Sequence, residues 1–320
     1  PRIPARPWLG WQSPIRSDTV HGEARIDSID GSAICERMKA GQVAVIAGFQ
    51  GIGPDGRIST FGRGGSDTSA VAIAAALEAD RCDIYTDVDG VYTTDPRIAP
   101  KATKLARITF EEMLEMASSG AKVLQPRSVA MAMRHDVNLQ VRSSFNDAPG
   151  TLVVNEDSIM EQETISGIAY SPDEAKITIV GLPDQPGVAA GVFGALADNP
   201  VNVDMIVQSA SSAVKKTDIS FSVSRGDLDK AVDIIHKIKG DLKFYSLDAS
   251  PNVAKISVVG MAMRTQPGVA KTMFETLAAK GVNLHVISTS EIKISVLIDA
   301  EYTELAVRSL HTAYGLDDES

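Results

Sequence analysis

The feature that most constrains this chain is an internal repeat in its second half. The strings DQPGVAAGVFGALADNPVNVDMIVQSAS, from Asp184, and TQPGVAKTMFETLAAKGVNLHVISTSEI, from Thr265, align without gaps at a separation of 81 residues. Between Gln185 and Ser209, 12 of 25 positions are identical to their counterparts. Similarity at a fixed spacing means one supersecondary unit used twice. Each copy is preceded by an apolar run ending in glycine, KITIVG (176–181) or KISVVG (255–260). Each is followed by a strand-like run and an amphipathic helix, TDISFSVSRGDLDKAVDIIHKIK in the first and IKISVLIDAEYTELAVRSLHTA in the second. The unit reads β-loop-α-β-β-α, and KFYSLD (243–248) supplies a closing strand after the first copy. Two small α+β modules are expected here.

The first half has a different rhythm, helices alternating with apolar strands. SAICERMKAG predicts a helix closed by Gly41, and VAVIAGF (43–49) a strand buried on both faces. GIGPDGRISTFG reads as a hairpin excursion. SDTSAVAIAAALEAD (66–80) predicts a helix capped by Ser66 or Asp67. CDIYTD (82–87) is a further buried strand. A helix opens at Thr109, with Glu111 and Glu112 in its first turn, and VLQPRSVAMAMRHD continues as helix before a strand over 137–144. This β/α alternation predicts a sheet between helical layers, ending near APGTLVVNED (148–157).

Composition narrows the function classes. A net charge of −10 argues against a nonspecific grip on nucleic acid. Two cysteines, Cys35 and Cys82, fit a reducing compartment without a disulfide framework. No apolar run is long enough to span a bilayer, and the chain reads as cytoplasmic. The histidines, His21, His135, His236, His285 and His311, are scattered without metal-ligand spacing, and no metal site is expected.

Two segments carry candidate chemistry. In GRGGSDTSA (62–70), paired glycines let a ligand approach the backbone, a helix start offers N–H groups to an anion, and Arg63 suits a carboxylate or phosphate. The same residues also suit a plain turn capping a helix. YTDVDGVYTTDPR (85–97) follows a strand end, the usual ligand position in an open α/β sheet. Its Asp87, Asp89 and Asp95 invite a calcium loop. Counting from Asp87, however, puts Tyr92 and Ile98 where glycine and glutamate are required. A solvated acidic turn remains the alternative.

Together, AGFQG (47–51), TFGRGGSDTSA (60–70), IYTDVDGVYTTDPR (84–97) and ITFEEMLEMASSGAKVL (108–124) closely resemble the aspartate kinases of the amino-acid kinase family. HGEARI (21–26) and the WLGWQSPIRSD opening are similar as well. The repeats, with their Pro-Gly turns and following Val-Asn strands, resemble ACT regulatory domains.

The resemblance implies an α/β fold: a partial three-layer αβα kinase sandwich over 1–157 and two βαββαβ ACT modules over 158–250 and 251–320. It implies transfer of a phosphoryl group from ATP, with Mg²⁺, to the β-carboxylate of L-aspartate. That reaction is the first step towards lysine, threonine and methionine. Arg63 would hold a substrate carboxylate, with Gly64, Gly65 and Ser66 lining the same site and Asp67 orienting the catalytic charges. Thr86, Asp87, Tyr92, Asp95 and Arg97 would border the nucleotide, and Lys122 would reach its phosphates. A feedback amino acid, lysine or threonine or both, is expected at the repeats. Its site would draw on Asp184, Gly187, Val188, Ala189, Asn202 and Gln208 in the first copy. In the second it would draw on Gly268, Val269, Asn283, Leu284 and Ser290, with Thr265 and Thr289 standing where the first copy has Asp184 and Gln208. Association with further subunits through the ACT modules is also expected. Aspartate kinases open with a strand ending in Lys-Phe-Gly-Gly, and no K-x-G-G string occurs here. The resemblance therefore implies further kinase strands before Pro1. The alternative is a non-catalytic amino-acid-binding regulator, for which Met160 offers an internal start.

Overall fold

The computed structural model describes residues 3–12, 15–159, 165–211, 215–264 and 266–317. The chain divides into two compact units. Unit 1 comprises residues 1–92 and 104–162, and unit 2 comprises 93–103 and 163–320.

Unit 1 runs β1 (Ala5–Trp8), β2 (Ile15–Ser17), β3 (Ile26–Ile29), α1 (Ser32–Lys39), β4 (Val43–Ile46), β5 (Gln50–Ile52) and β6 (Ile58–Thr60). It continues with α2 (Gly65–Ala76), β7 (Cys82–Thr86), β8 (Arg107–Thr109), α3 (Phe110–Ser118), α4 (Pro126–His135), β9 (Leu139–Ser143) and β10 (Thr151–Val154). β7 and β9 pair in parallel and lead a sheet ordered β7-β9-β10-β8, while β5 and β6 form the expected hairpin beside β2 and β3. α3 begins where the sequence indicates. The Thr109 hydroxyl accepts the Glu112 N–H, and the Glu112 carboxylate accepts the Thr109 N–H, a complete capping box.

Three expectations need correction. β4 is not buried on both faces: Val43 and Val45 are 49% and 56% exposed, because β4 pairs with β1 alone among the described residues. The helix opened at Thr109 does not continue through VLQPR. It stops at Ser118, and α4 starts afresh with Pro126 at its first position, where a missing N–H costs nothing. Neither Ser66 nor Asp67 caps α2. Its N-cap is Gly64, in the left-handed region, so both side chains lie inside the first turn.

Unit 2 contains β11 (Gly167–Pro183), α5 (Val188–Ala197), β12 (Val203–Ser211), β13 (Lys216–Ser224), α6 (Leu228–Lys237) and α7 (Lys239–Leu242). β14 (Ser246–Val259), α8 (Val269–Ala279), β15 (Val286–Thr289), β16 (Lys293–Asp299) and α9 (Thr303–Ala313) complete it. The sheet order is β12-β13-β11-β14-β16-β15. Two long strands explain how the repeats interlock. β11 pairs through Lys176–Val180 with Ser246–Ser250 of β14, and through Gly167–Ser171 with Lys255–Val259. Each long strand thus serves both modules. Two separate cores result. One, around Phe221, Ile177 and Val192, lies under α5 and α6; the other, around Ile256, Val296 and Met273, lies under α8 and α9.

Candidate functional site

The turn between β6 and α2 cannot carry a side chain at Gly62 or at Gly64. Gly62 has φ +76°, and a Cβ there would lie 2.2 Å from the Gly22 carbonyl oxygen. Gly64 has φ +70°, and a Cβ would lie 1.8 Å from Cγ of Gln125. That approach brings the N-terminus of α2 against Gln125, the N-cap of α4. The Gln125 N–H donates to the Asp67 carboxylate. Burial pushes that carboxyl above its usual range, and the Gln125 bond only partly opposes this. Arg63 and Ser66 stand exposed on the turn, and Lys122 is exposed ahead of α4.

Neighbouring groups fix this arrangement. The Ser69 hydroxyl accepts the Phe49 N–H at 3.0 Å and donates to the Ser66 carbonyl at 2.9 Å. Phe49 itself has φ +69°, an uncommon conformation for a bulky residue and one that concentrates at functional sites. The Arg127 guanidinium donates to the Ala24 and Phe61 carbonyls at 2.5 and 3.3 Å, tying α4 to the turn. Two helix N-termini therefore meet at one glycine turn. Gly65 N–H donates to the Gly62 carbonyl, Gln125 N–H to Asp67 and Ser128 N–H to the Gln125 carbonyl, and Pro126 has none, so it is chiefly the helix dipoles that favour an anion there. Sequence reading missed Phe49 and Gln125; the only signal for the latter was the Pro126 that starts α4.

The second motif is divided. Thr86, Asp87 and Tyr92 belong to unit 1, as does Lys122, whereas Asp95 and Arg97 belong to unit 2. In unit 1 the Tyr92 hydroxyl donates to Asp89 Oδ1 at 2.9 Å, and Lys104 Nζ reaches Asp89 Oδ2 at 3.1 Å. Burial raises the Asp89 carboxyl, but these partners outweigh it and hold it below the usual range. In unit 2 Asp95 accepts from Arg97 Nη2 at 2.7 Å, from its Nε at 3.0 Å and from its backbone N–H at 2.9 Å. The Arg97 bonds hold the Asp95 carboxyl below its usual range against its burial. Among the described residues no group of three or more His, Cys, Asp or Glu side chains forms a metal cluster.

In the repeats, Gly187 and Gly268 are the N-caps of α5 and α8, with φ +93° and +108°. No heavy atom crowds either position, so glycine answers to the backbone angle alone. Asp184, Asn202, Gln208, Asn283, Thr289 and Ser290 are exposed. Val188 and Val269, each 8% exposed, put their side chains into the cores, and the Val188 N–H already meets the Gln185 carbonyl at 3.5 Å. Ala189 and Leu284 are half-buried against the same cores. Thr265 and Met160 lie outside the described residues.

Residues 3–143 match the amino acid kinase family, and residues 177–238 and 256–314 each match the ACT domain. The chain is 52% identical over 316 residues to an aspartate kinase of Stutzerimonas stutzeri, covering 98% of this chain and 76% of that relative. The fold is similar to Escherichia coli aspartokinase III in complex with aspartate and ADP (R-state), at TM-score 0.81 and 29% identity, over 97% of this chain and 70% of that one. It is similar to the same enzyme in complex with lysine and aspartate (T-state), at TM-score 0.74 and 30% identity, over 96% and 69%.

Proposed function

The chain belongs to the aspartate kinase family, and from that premise we propose that it transfers the γ-phosphoryl group of ATP to the β-carboxylate of L-aspartate. The Gly62–Gly65 turn carries this reading, because two helix N-termini converge there with Arg63 on the turn itself. The substrate suits such a site. A carboxylate is already ionised at neutral pH, so the nucleophile needs no general base. What the protein must supply is positioning and relief of repulsion between anions. Arg63 holds a carboxylate of aspartate with its planar fork, while the first-turn N–H groups of α2 receive negative charge. Asp67, fastened by the Gln125 N–H, orients the positive groups around it. Thr86, Asp87 and Tyr92 border the nucleotide, and Lys122 meets its phosphates. Mg²⁺ arrives with ATP as part of the substrate.

The repeats supply feedback control, with lysine, threonine or both as effectors. The α5 and α8 N-termini receive the effector carboxylate, and Asp184 takes its ammonium group in the first copy. The modules also associate with further subunits. Among the described residues no helix is long and apolar enough to cross a membrane.

Replacement of Arg63 by alanine tests the central assignment. Loss of one charge-assisted partner costs about 1.5–3 kcal/mol, or roughly a ten- to hundredfold rise in KM for aspartate. The KM for ATP should change far less, and equal changes in the two constants would remove Arg63 from the aspartate site.

A further inference from the structure

The strand that leads into the nucleotide motif ends beside a second loop of unit 1. β7 and β9 run in parallel with Thr86 opposite Ser143, so both strands finish at the same end of the sheet. One residue on, the Ser144 N–H donates to the Thr86 carbonyl at 2.8 Å. The loop over 144–150 therefore leaves the sheet next to the loop that begins at Asp87. In an open α/β sheet this end of the strands is where ligands bind.

The loop is held along its length. The Phe145 N–H donates to the Ser143 hydroxyl at 3.0 Å, and the Ala148 N–H donates to Asn146 Oδ1 at 3.0 Å. The Gln140 side-chain amide donates to the Pro149 carbonyl. Gly150 closes the loop at φ +69°, where an added Cβ would lie 1.9 Å from the Val141 carbonyl oxygen. On this fixed backbone the Phe145 side chain is 80% exposed. Val88 lies two residues past Thr86, as Phe145 lies two past Ser143, and it too is exposed.

A single exposed apolar residue is ordinary on a protein surface. Phe145 differs in its place. It stands at the ligand-binding end of two parallel strands on a backbone that hydrogen bonds hold, and the neighbouring strand ends in a second exposed apolar side chain. A nucleotide has a charged part and a flat part. Its phosphates call for positive groups and N–H donors, whereas its base offers two faces on which an aromatic ring can stack. A phenyl ring suits such a face. It has no polar atom, so it adds affinity without reading the edge of the base.

We propose that Phe145 is the platform on which the purine base of the nucleotide stacks, with Val88 as a second apolar contact. This rests on the reading that Thr86 and Asp87 border ATP. The base then lies on the 144–150 loop, and the phosphates are left to the charged groups of the site.

The test compares Phe145→Ala and Phe145→Trp with the unaltered full-length protein. ADP affinity is measured by calorimetry, and KM for ATP and for aspartate by turnover. Phe145→Ala should raise the ADP dissociation constant and the KM for ATP about five- to twentyfold, the lower part of the range for losing one stacking ring. Its KM for aspartate should stay within twofold, and its melting temperature should not fall, because the ring is exposed. Phe145→Trp keeps a stacking face, so its ADP affinity should stay within twofold of the unaltered protein. Its tryptophan emission should also respond to ADP more strongly than that of the unaltered protein, which carries Trp8 and Trp11. A purely structural role would move both KM values together in Phe145→Ala, and that result overturns the proposal. So does ADP affinity within twofold in Phe145→Ala, which leaves the nucleotide reading of Thr86 and Asp87 intact. An unaltered protein that binds no ADP removes that reading and the platform with it.

Discussion

Replacing Gly64 by alanine separates two costs that coincide at the candidate active site. The first is conformational. Gly64 has φ +70°, and a residue with a Cβ pays about 1–2 kcal/mol to hold the left-handed region. The second is steric, because the new Cβ would lie 1.8 Å from Cγ of Gln125 and 2.6 Å from its Cβ. The second distance involves an atom next to the backbone, so rotating the glutamine cannot clear the clash. Overpacking of this kind costs about 1–3 kcal/mol. The sum is about 2–5 kcal/mol. Gly41 supplies the control within the same unit, with φ +79° and no heavy atom within 4 Å of an added Cβ. Gly41→Ala should cost only the conformational part, about 1–2 kcal/mol. Urea denaturation of both variants measures the difference as a shift in midpoint at constant slope. Displacement of Gln125 also withdraws the N–H that Asp67 accepts, so Gly64→Ala should lose turnover while Gly41→Ala keeps it. Equal destabilisation of the two variants would refute the close approach of the two helix N-termini.

Two further outcomes follow from charge and burial. Lys255, 7% exposed, reaches Asp204 at 2.6 Å and Glu174 at 3.4 Å. Burial pushes its ammonium pKa down, but Glu174 and Asp204 outweigh that and raise it; burial likewise raises Asp204, and Lys255 outweighs it and lowers it. The lysine contribution is therefore complete below about pH 10.5 and fades as pH rises through the raised value, while the aspartate contribution is complete above about pH 4 and fades as pH falls through the lowered one. Lys255→Met should destabilise unit 2 by about 3 kcal/mol, the low end for a broken buried pair because Asp204 is partly solvated. The deficit should be flat from about pH 5 to 9 and shrink at both extremes; a deficit that varies within that window would refute the pairing. The Cys82 thiol is pushed up to about 11 by burial and then by the charges of Asp83 and Asp67. A thiol reagent at neutral pH should therefore leave it unmodified until the protein is denatured, and prompt labelling of Cys82 in the native state would contradict its burial.

Local signals in the sequence carried far. The repeat, the hairpin over β5 and β6 and the helix start at Thr109 were all legible, because each is written in residues a few positions apart. The errors share a cause in long-range partners. Ser66 and Asp67 have good capping chemistry, but the cap fell to Gly64 because Gln125 presses against that position from another helix. An apolar run such as VAVIAGF carries no record of whether a neighbour covers both its faces. His311 looked like any scattered histidine, since its partner Thr93 lies 218 positions away. Asp95 and Arg97 read as one motif with Thr86 and Asp87, yet the fold parts them between two units.

The repeats are equal in sequence pattern but not in what they hold. Both begin a helix with a left-handed glycine after proline, and both bury the next valine in a core. That much is the inherited module. The first copy adds an exposed Asp184, a carboxylate able to meet an ammonium group, whereas the second has Thr289 where the first has Gln208. The side chains that meet Thr93 and Asp95, His311 of α9 and Tyr170 of β11, stand on elements that complete the second copy. Selection on a duplicated unit can divide its work in this way, with one copy shaped for an effector and the other for the segment it must hold. The long strands β11 and β14 make the division mechanically useful. Each runs through both modules, so neither copy's sheet can form without backbone that the other also uses.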